Sequence, residues 1–169
     1  QNLHDPVNLS IGQPDFDVPQ AVKESAIEAI RNGANRYTVT QGINTLREKL
    51  LAKAKAECGV QTDHILITSG VSGALMLAFL VLVDPGDEVL IPDPYFVMYK
   101  HLVNLSSGVP RFVDTYPDFH LTAGRIEPLL SPRSKVLVLN SPANPTGAVV
   151  GEQDLRDIAD LAKAHGLVV

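Results

Sequence analysis

Lys135-Val136-Leu137-Val138-Leu139, followed at once by Asn140-Ser141-Pro142-Ala143-Asn144-Pro145-Thr146-Gly147, is the stretch on which the reading of this chain turns. The first five residues form a short β-branched and Leu run of the kind that builds a buried strand. Two X-Pro steps in close succession then force the backbone out of helix and into extended or turn geometry. Thr146-Gly147 lets the chain turn away. The product is a stiff loop at the C-terminal end of a strand, carrying one amide side chain, Asn144, in a fixed pose. In open α/β sheets that end of the strands is where ligands bind. Alone, Asn-Pro-Thr-Gly reads equally well as a Pro-rich surface turn, so its surroundings decide.

Working outward, the chain from residue 63 alternates strand and helix. His64–Thr68 reads as a strand, Ser72–Val83 as a helix, and Glu88–Ile91 as a strand after the Asp84-Pro85-Gly86-Asp87 turn. Tyr95–Leu105 reads as a helix, Val109–Val113 as a strand, Gly124–Leu130 as a short helix and Val136–Leu139 as a strand. Gln153–His165 is helical, and Leu167-Val168-Val169 begins a further strand. Near-continuous apolar strands alternating with helices predict an α/β fold: three layers, α/β/α, around a mostly parallel sheet covered on both faces. Upstream, residues 1–18 read as a Pro-punctuated extended arm. A first helix spans about Pro19–Asn32, with Val22, Ala26, Ala29 and Ile30 on one buried face. A second spans Asn44–Cys58, with Ile43, Leu46, Leu50 and Ala54 inward and Gly59 as its stop. Because the chain breaks off inside this rhythm and lacks an initiator Met, it reads as a piece of a longer protein.

Composition removes several function classes. The 169 residues are 45% apolar, enough for one core, and 19 acids against 14 bases give a net charge of -5. That balance, with no basic run, argues against nucleic acid. The apolar run Ala74–Val83 rises only about 15 Å as a helix, half of a hydrocarbon core, so it reads as a buried helix and not a membrane span. The single cysteine, Cys58, reads as a small apolar filler near a helix end and suits a reducing, cytoplasmic setting. The histidines are scattered, with no metal-ligand spacing.

Two further loops sit where chemistry is expected. Ser69-Gly70-Val71-Ser72-Gly73 joins a strand to a helix, which aims unpaired amides and the positive helix end at one point, a cradle suited to phosphate. It is neither a Walker loop nor G-x-G-x-x-G, and alone it reads as a Ser N-cap on a tight turn. Pro92-Asp93-Pro94-Tyr95-Phe96-Val97-Met98-Tyr99 stiffens the exit from another strand and places aromatic rings at its rim, suited to stacking on a flat ring.

Four segments, Asn8–Phe16, Tyr37-Thr38 with Gly42 and Leu46-Arg47, Thr68–Leu75, and the Asn144 loop, together and in this order resemble the class I/II aminotransferases. The resemblance runs from about Asn8 to Val169 and is aspartate-aminotransferase-like. It implies a pyridoxal-phosphate enzyme of fold type I, with residues 1–35 as arm and first helix on the small-domain side. Residues 36–169 would be the first part of the large cofactor-binding domain. It implies that Ser72 and the Val71–Ser72 amides hold the cofactor phosphate and that Phe96 stacks on its ring, with Tyr95 in that place if the register slips by one. Asn144 would donate to its phenolic oxygen. Tyr37 resembles the tyrosine that reaches the phosphate of a partner subunit's cofactor, which implies a homodimer with shared sites. Gly12 resembles the glycine beside the substrate carboxylate. Gln13, Asp15 and Arg47 read as scaffolding.

The implied reaction moves an amino group between an amino acid and a 2-oxo acid. That chemistry needs a lysine to anchor the cofactor and an acid opposite its ring nitrogen. Lys23, Lys49, Lys53, Lys55, Lys100 and Lys163 fall in predicted helices, and Lys135 opens a strand at the wrong end, so no catalytic residue is assigned and the chain alone is expected to be inactive. A lyase or synthase of the same fold type, and a non-catalytic scaffold, remain as alternatives.

Overall fold

The computed structural model describes residues 12–59 and 61–169, so the Asn8–Ile11 part of the first motif lies outside the described residues. The chain divides into two compact units, the first ending at Leu66 and the second running from Ile67 to Val169.

The first unit carries α1 (Gln20–Arg31) and α2 (Asn44–Cys58). Pro19 stands at the N-cap of α1, where its missing N–H costs nothing. Gly59 ends α2 in the left-handed conformation, at φ 64°, as its position in the sequence predicts. The faces read as buried are not buried here: Val22 and Ile30 on α1, and Ile43 and Leu46 before and on α2, are exposed, and neither helix holds a buried residue. Cys58 is likewise exposed and not a packed filler. His64–Thr68 forms no strand. The segment is tied to α2 by the Arg47 guanidinium, whose Nε donates to the Ile65 carbonyl at 3.1 Å. A strand exists only through a neighbour's ladder, and no other strand pairs with these residues among the described ones.

In the second unit α3 (Gly70–Leu82) precedes β1 (Glu88–Asp93), α4 (Met98–Leu105), β2 (Val109–Asp114), α5 (Ala123–Ile126, continued by a 3-10 turn over Glu127–Leu129), β3 (Ser134–Leu137) and α6 (Glu152–His165). The sheet order is β2-β1-β3, all parallel, with β1 and β2 in register from Glu88–Val109 to Asp93–Asp114. Leu167–Val169 contributes only a parallel bridge from Val168 to Val136, not a full strand. The helix expected from Tyr95 begins at Met98, because Pro92 and Pro94 keep the preceding chain extended and a turn, Tyr99 N–H to Phe96 C=O at 3.0 Å, leads into it.

Side-chain alternation in the strands sorts the core into two layers. Val89 and Ile91 of β1 join Val136 and Val138 on one face, packed with Phe79, Val83, Leu102 and Val103 from the α3 and α4 side. Leu90, Val113 and Leu137 point to the other face, with Leu121, Ile126 and Ile158 from the α5 and α6 side. This is the predicted three-layer α/β/α arrangement. The apolar α3 is buried on one side only. Phe79 and Val83 are in the core, while Leu77, Leu80 and Val81 face outward. No helix among the described residues is long and apolar enough to cross a membrane.

At the N-terminal end of the strands, Glu88 is buried to 3% exposure and fully satisfied. Its carboxylate accepts the Ser131 hydroxyl at 2.6 Å and the Ser134 hydroxyl at 3.3 Å, with Arg133 at 3.4 Å and Arg111 at 3.8 Å. Glu88 thereby ties β1 to β2, to β3 and to the turn before β3.

Candidate functional site

The chain leaves β1 through α4 to β2 on one side, then crosses back through α5 to β3 on the other side of β1. The strand order therefore reverses between β1 and β3, and the crevice beyond their C-terminal ends is where doubly wound sheets bind ligands. Two of the three loops picked out in the sequence, Pro92–Tyr99 and the Asn144 loop, lie there. Pro92, Pro94, Tyr95 and Tyr99 from the β1 exit and Val138, Asn140, Ala143 and Asn144 from the β3 exit line one shallow pocket. A second pocket alongside it is closed by Thr115, Phe119, Leu121, Thr146 and Val149.

The Asn144 loop is held by its own bonds. Asn140 Oδ1 accepts the Asn144 backbone N–H at 3.0 Å, Gly147 N–H donates to Ala143 C=O at 2.7 Å, and Ala143 N–H donates to Ala148 C=O at 2.8 Å. Ser141 Oγ accepts the Val150 N–H at 3.0 Å. Gly147 sits at φ 75°, a conformation that suits glycine and permits the turn away from the sheet. The peptide bonds before Pro94, Pro142 and Pro145 are cis. This bonding leaves the Asn144 side chain exposed at the rim, ready to donate.

On the facing segment, Tyr95 stacks on Phe112 with centroids 5.1 Å apart and planes 18° apart, while Phe96 meets Tyr99 edge-on at 5.8 Å and 75°. Tyr95 lines the Asn144 pocket and Phe96 is half-buried beside Tyr99 without lining it. The Tyr99 hydroxyl reaches Asn140 Oδ1 at 3.4 Å, and burial pushes its ionisation above the usual phenol value, so it stays a donor at neutral pH.

The Ser69–Gly73 turn opens α3 as predicted. Gly70 takes φ 69°, its N–H donating to Thr68 C=O at 2.9 Å, and no side chain caps the helix N-terminus. Val71 is exposed and Ser72 half-buried. Neither lines the Asn144 pocket. Tyr37 and Gly12 belong to the first unit, both exposed, and a Cβ placed on Gly12 would meet nothing within 4 Å. Among the predicted residues the structure thus brings Asn144 together with the Tyr95–Phe96 segment. Two contributors were given no role in the sequence: Asn140 and Tyr99. Asn140 had a signal, an amide four residues before Asn144 and directly past the strand.

Comparisons with known proteins bear on the same residues. The family model described as aminotransferase class I and II matches residues 4–169. A probable aspartate aminotransferase of Methanocaldococcus jannaschii is 36% identical over 98% of this chain and 44% of its own length. Aromatic-amino-acid aminotransferase 2 of Thermococcus litoralis is 38% identical over 100% of this chain and 45% of its own. Among solved structures, a tetra mutant of Thermus thermophilus aspartate aminotransferase superposes with a TM-score of 0.89 at 41% identity, over 94% of this chain and 45% of that one. The chain spans less than half the length of the relatives it matches.

Proposed function

Since this chain belongs to the class I and II aminotransferases, we propose that it is the N-terminal part of a longer pyridoxal-phosphate enzyme that moves an amino group between an amino acid and a 2-oxo acid. The observation that carries the reading is the meeting of the Asn144 loop and the Pro92–Tyr99 aromatic segment beyond adjacent parallel strands, at the point where strand order reverses.

The residues present fit the cofactor. An uncapped helix N-terminus at Gly70–Ser72, with a serine hydroxyl in its first turn, has the donor chemistry that a dianionic phosphate wants. Ser72 and the Val71–Ser72 amides would hold it. Asn144 would donate to the phenolic oxygen, and Phe96 would lie against the ring. The choice of Phe96 rests on the resemblance, since Tyr95, with one face against Phe112, is the one of the two that lines the Asn144 pocket, and Tyr95 takes the stacking place if the register slips by one. Gly12 would leave room at the substrate carboxylate; this assignment rests on the resemblance, as nothing crowds that position here. Tyr37, fully exposed, would serve the phosphate site of a second subunit in a homodimer. Residues 1–35 would belong to the small-domain side and 36–169 to the large domain, in a cytoplasmic protein. When bound, the cofactor supplies an electron sink for the carbon that carries the amino group. The chain's own residues bind and orient it, and the lysine that anchors it is supplied from elsewhere in the complete enzyme.

Borohydride reduction of the complete protein with pyridoxal phosphate, followed by peptide mapping, tests this. The label is expected on a lysine outside this chain. Stoichiometric labelling of one of this chain's own lysines, with amino-acid-dependent turnover, would overturn the assignment.

A further inference from the structure

We propose that Asn140 is the positioning residue of the candidate site, its side-chain carbonyl fixing the Asn144 loop against α4 and thereby setting where the Asn144 amide points. The proposal rests on the cofactor reading above. Asn140 stands three residues past the end of β3, half-buried, and lines both pockets. Its Oδ1 accepts two donors from different parts of the chain: the Asn144 backbone N–H at 3.0 Å and the Tyr99 hydroxyl at 3.4 Å. The backbone donor fixes which end of the amide is the oxygen. Of the two, the Asn144 contact is the shorter, and the Tyr99 contact lies at the long edge of hydrogen bonding. The main effect is therefore local, closing the loop, and the tyrosine links that closure to the helix behind the aromatic segment.

The consequence is chemical. An amide that donates to a phenolic oxygen stabilises its anionic form, and that benefit falls steeply as distance and angle degrade. Loosening the loop would cost Asn144 its aim without removing its side chain. The role requires an acceptor and nothing more, so a carboxylate at this position should serve while a methyl should not.

The test uses the complete enzyme loaded with pyridoxal phosphate and two readouts besides turnover. One is the pH midpoint of the bound cofactor's visible absorbance transition; the other is thermal unfolding of the cofactor-free protein. Asn144→Ala serves as reference and is expected to raise the midpoint, because the anionic oxygen loses a donor. Asn140→Ala is expected to raise it in the same direction by roughly half a unit to one unit, about a three- to tenfold change in the equilibrium. Asn140→Asp keeps the acceptor but adds a charge beside the pocket, so it is expected to move the midpoint equally with Asn144 present and with Asn144→Ala, whereas Asn140→Ala is expected to add little to Asn144→Ala alone. Should Asn140→Ala fail to fold, Asn140→Ser, too short to hold both donors, takes its place with the same expected direction. An Asn140→Ala or Asn140→Ser enzyme with lowered melting temperature but an unmoved midpoint would overturn the proposal, as would an Asn140→Asp shift that depends on whether Asn144 is present. If Asn144→Ala itself leaves the midpoint unmoved, the assignment of Asn144, and the positioning role with it, fails. If Asn144→Ala moves it and Asn140 variants do not, only the positioning role fails.

Discussion

Removing the Ser131 hydroxyl should destabilise the fold more than removing either arginine that faces Glu88. Glu88 is 3% exposed, so its carboxylate depends on protein partners. The Ser131 hydroxyl is the shortest of these at 2.6 Å, and it lies next to a charge in a dry place. Losing a charge-assisted bond there costs about 1–3 kcal/mol. Arg133 and Arg111 stand at 3.4 Å and 3.8 Å with side chains 66% and 45% exposed, so each ion pair is worth about 0–1 kcal/mol. Ser131→Ala should therefore cost more than Arg133→Ala or Arg111→Ala. The sign with pH follows from the folded carboxyl. The Ser131 bond, against opposing desolvation and aided by Arg111, Ser134 and Arg133, holds it below its ordinary value of 4.5. A depressed carboxyl stabilises the fold above the unfolded value and loses that contribution as pH falls through the folded one. Urea unfolding of the complete protein followed by circular dichroism, at pH 7 and again at about pH 4, reads both effects. The gap between wild type and Ser131→Ala should be widest at pH 7 and narrow on acidification. Equal penalties for Ser131→Ala and Arg133→Ala, or a Ser131 penalty that ignores pH, would refute the assignment of the carboxylate's stability to the serine.

Gly108→Ala should cost about 1–3 kcal/mol in the same assay, since its Cβ would fall 2.7 Å from Val83 Cγ1 and 3.1 Å from Val103 Cγ1, both buried; adding Val83→Ala should return part of that loss, and no return would mean the strain lies elsewhere. Phe79→Ala should cost about 3–5 kcal/mol, because the ring is 2% exposed in the α3-side core. Ser72→Ala should weaken pyridoxal-phosphate binding by about 1–2 kcal/mol, measured by titration of the cofactor-free enzyme, and unchanged affinity would remove Ser72 from the phosphate site. Mixed dimers pairing a Tyr37→Phe subunit with one lacking its own anchoring lysine should show whose site the tyrosine serves; behaviour explained by the same subunit alone would refute sharing.

What the sequence made legible depends on how local the determinants are. The bounds of α2 follow from the apolar spacing of Leu46, Leu50 and Ala54 together with the left-handed Gly59, all within one element, and they hold in the structure. The β1 and β2 strands likewise announce themselves as Glu88–Ile91 and Val109–Val113, and the structure extends each by a residue or two. His64–Thr68 has the same composition but no pairing, and Leu167–Val169 has one bridge, because ladder bonds come from chain distant in sequence. Burial of Val22, Ile30, Leu80 and Val81 failed for the same reason: periodicity tells which face is apolar, not what covers it. At the site, the Asn144 loop could be read from its prolines. Its tie through Asn140 to Tyr99 could not, because forty-one residues separate the pair.

β1 also works as a ruler. Its six residues span about 20 Å, with Glu88 clamped at one end and Pro92–Asp93 opening the crevice at the other. Consecutive residues feed different layers, Val89 and Ile91 one core and Leu90 the other. Inserting or deleting a single residue here would therefore do two things at once: it would exchange the two cores' side chains and slide the Tyr95–Tyr99 segment past Asn144 by about 3.3 Å. Length variation can accumulate in exposed turns, but not in this strand. A library of single-codon insertions scanned along residues 86–96 should show tolerance falling to nothing across β1.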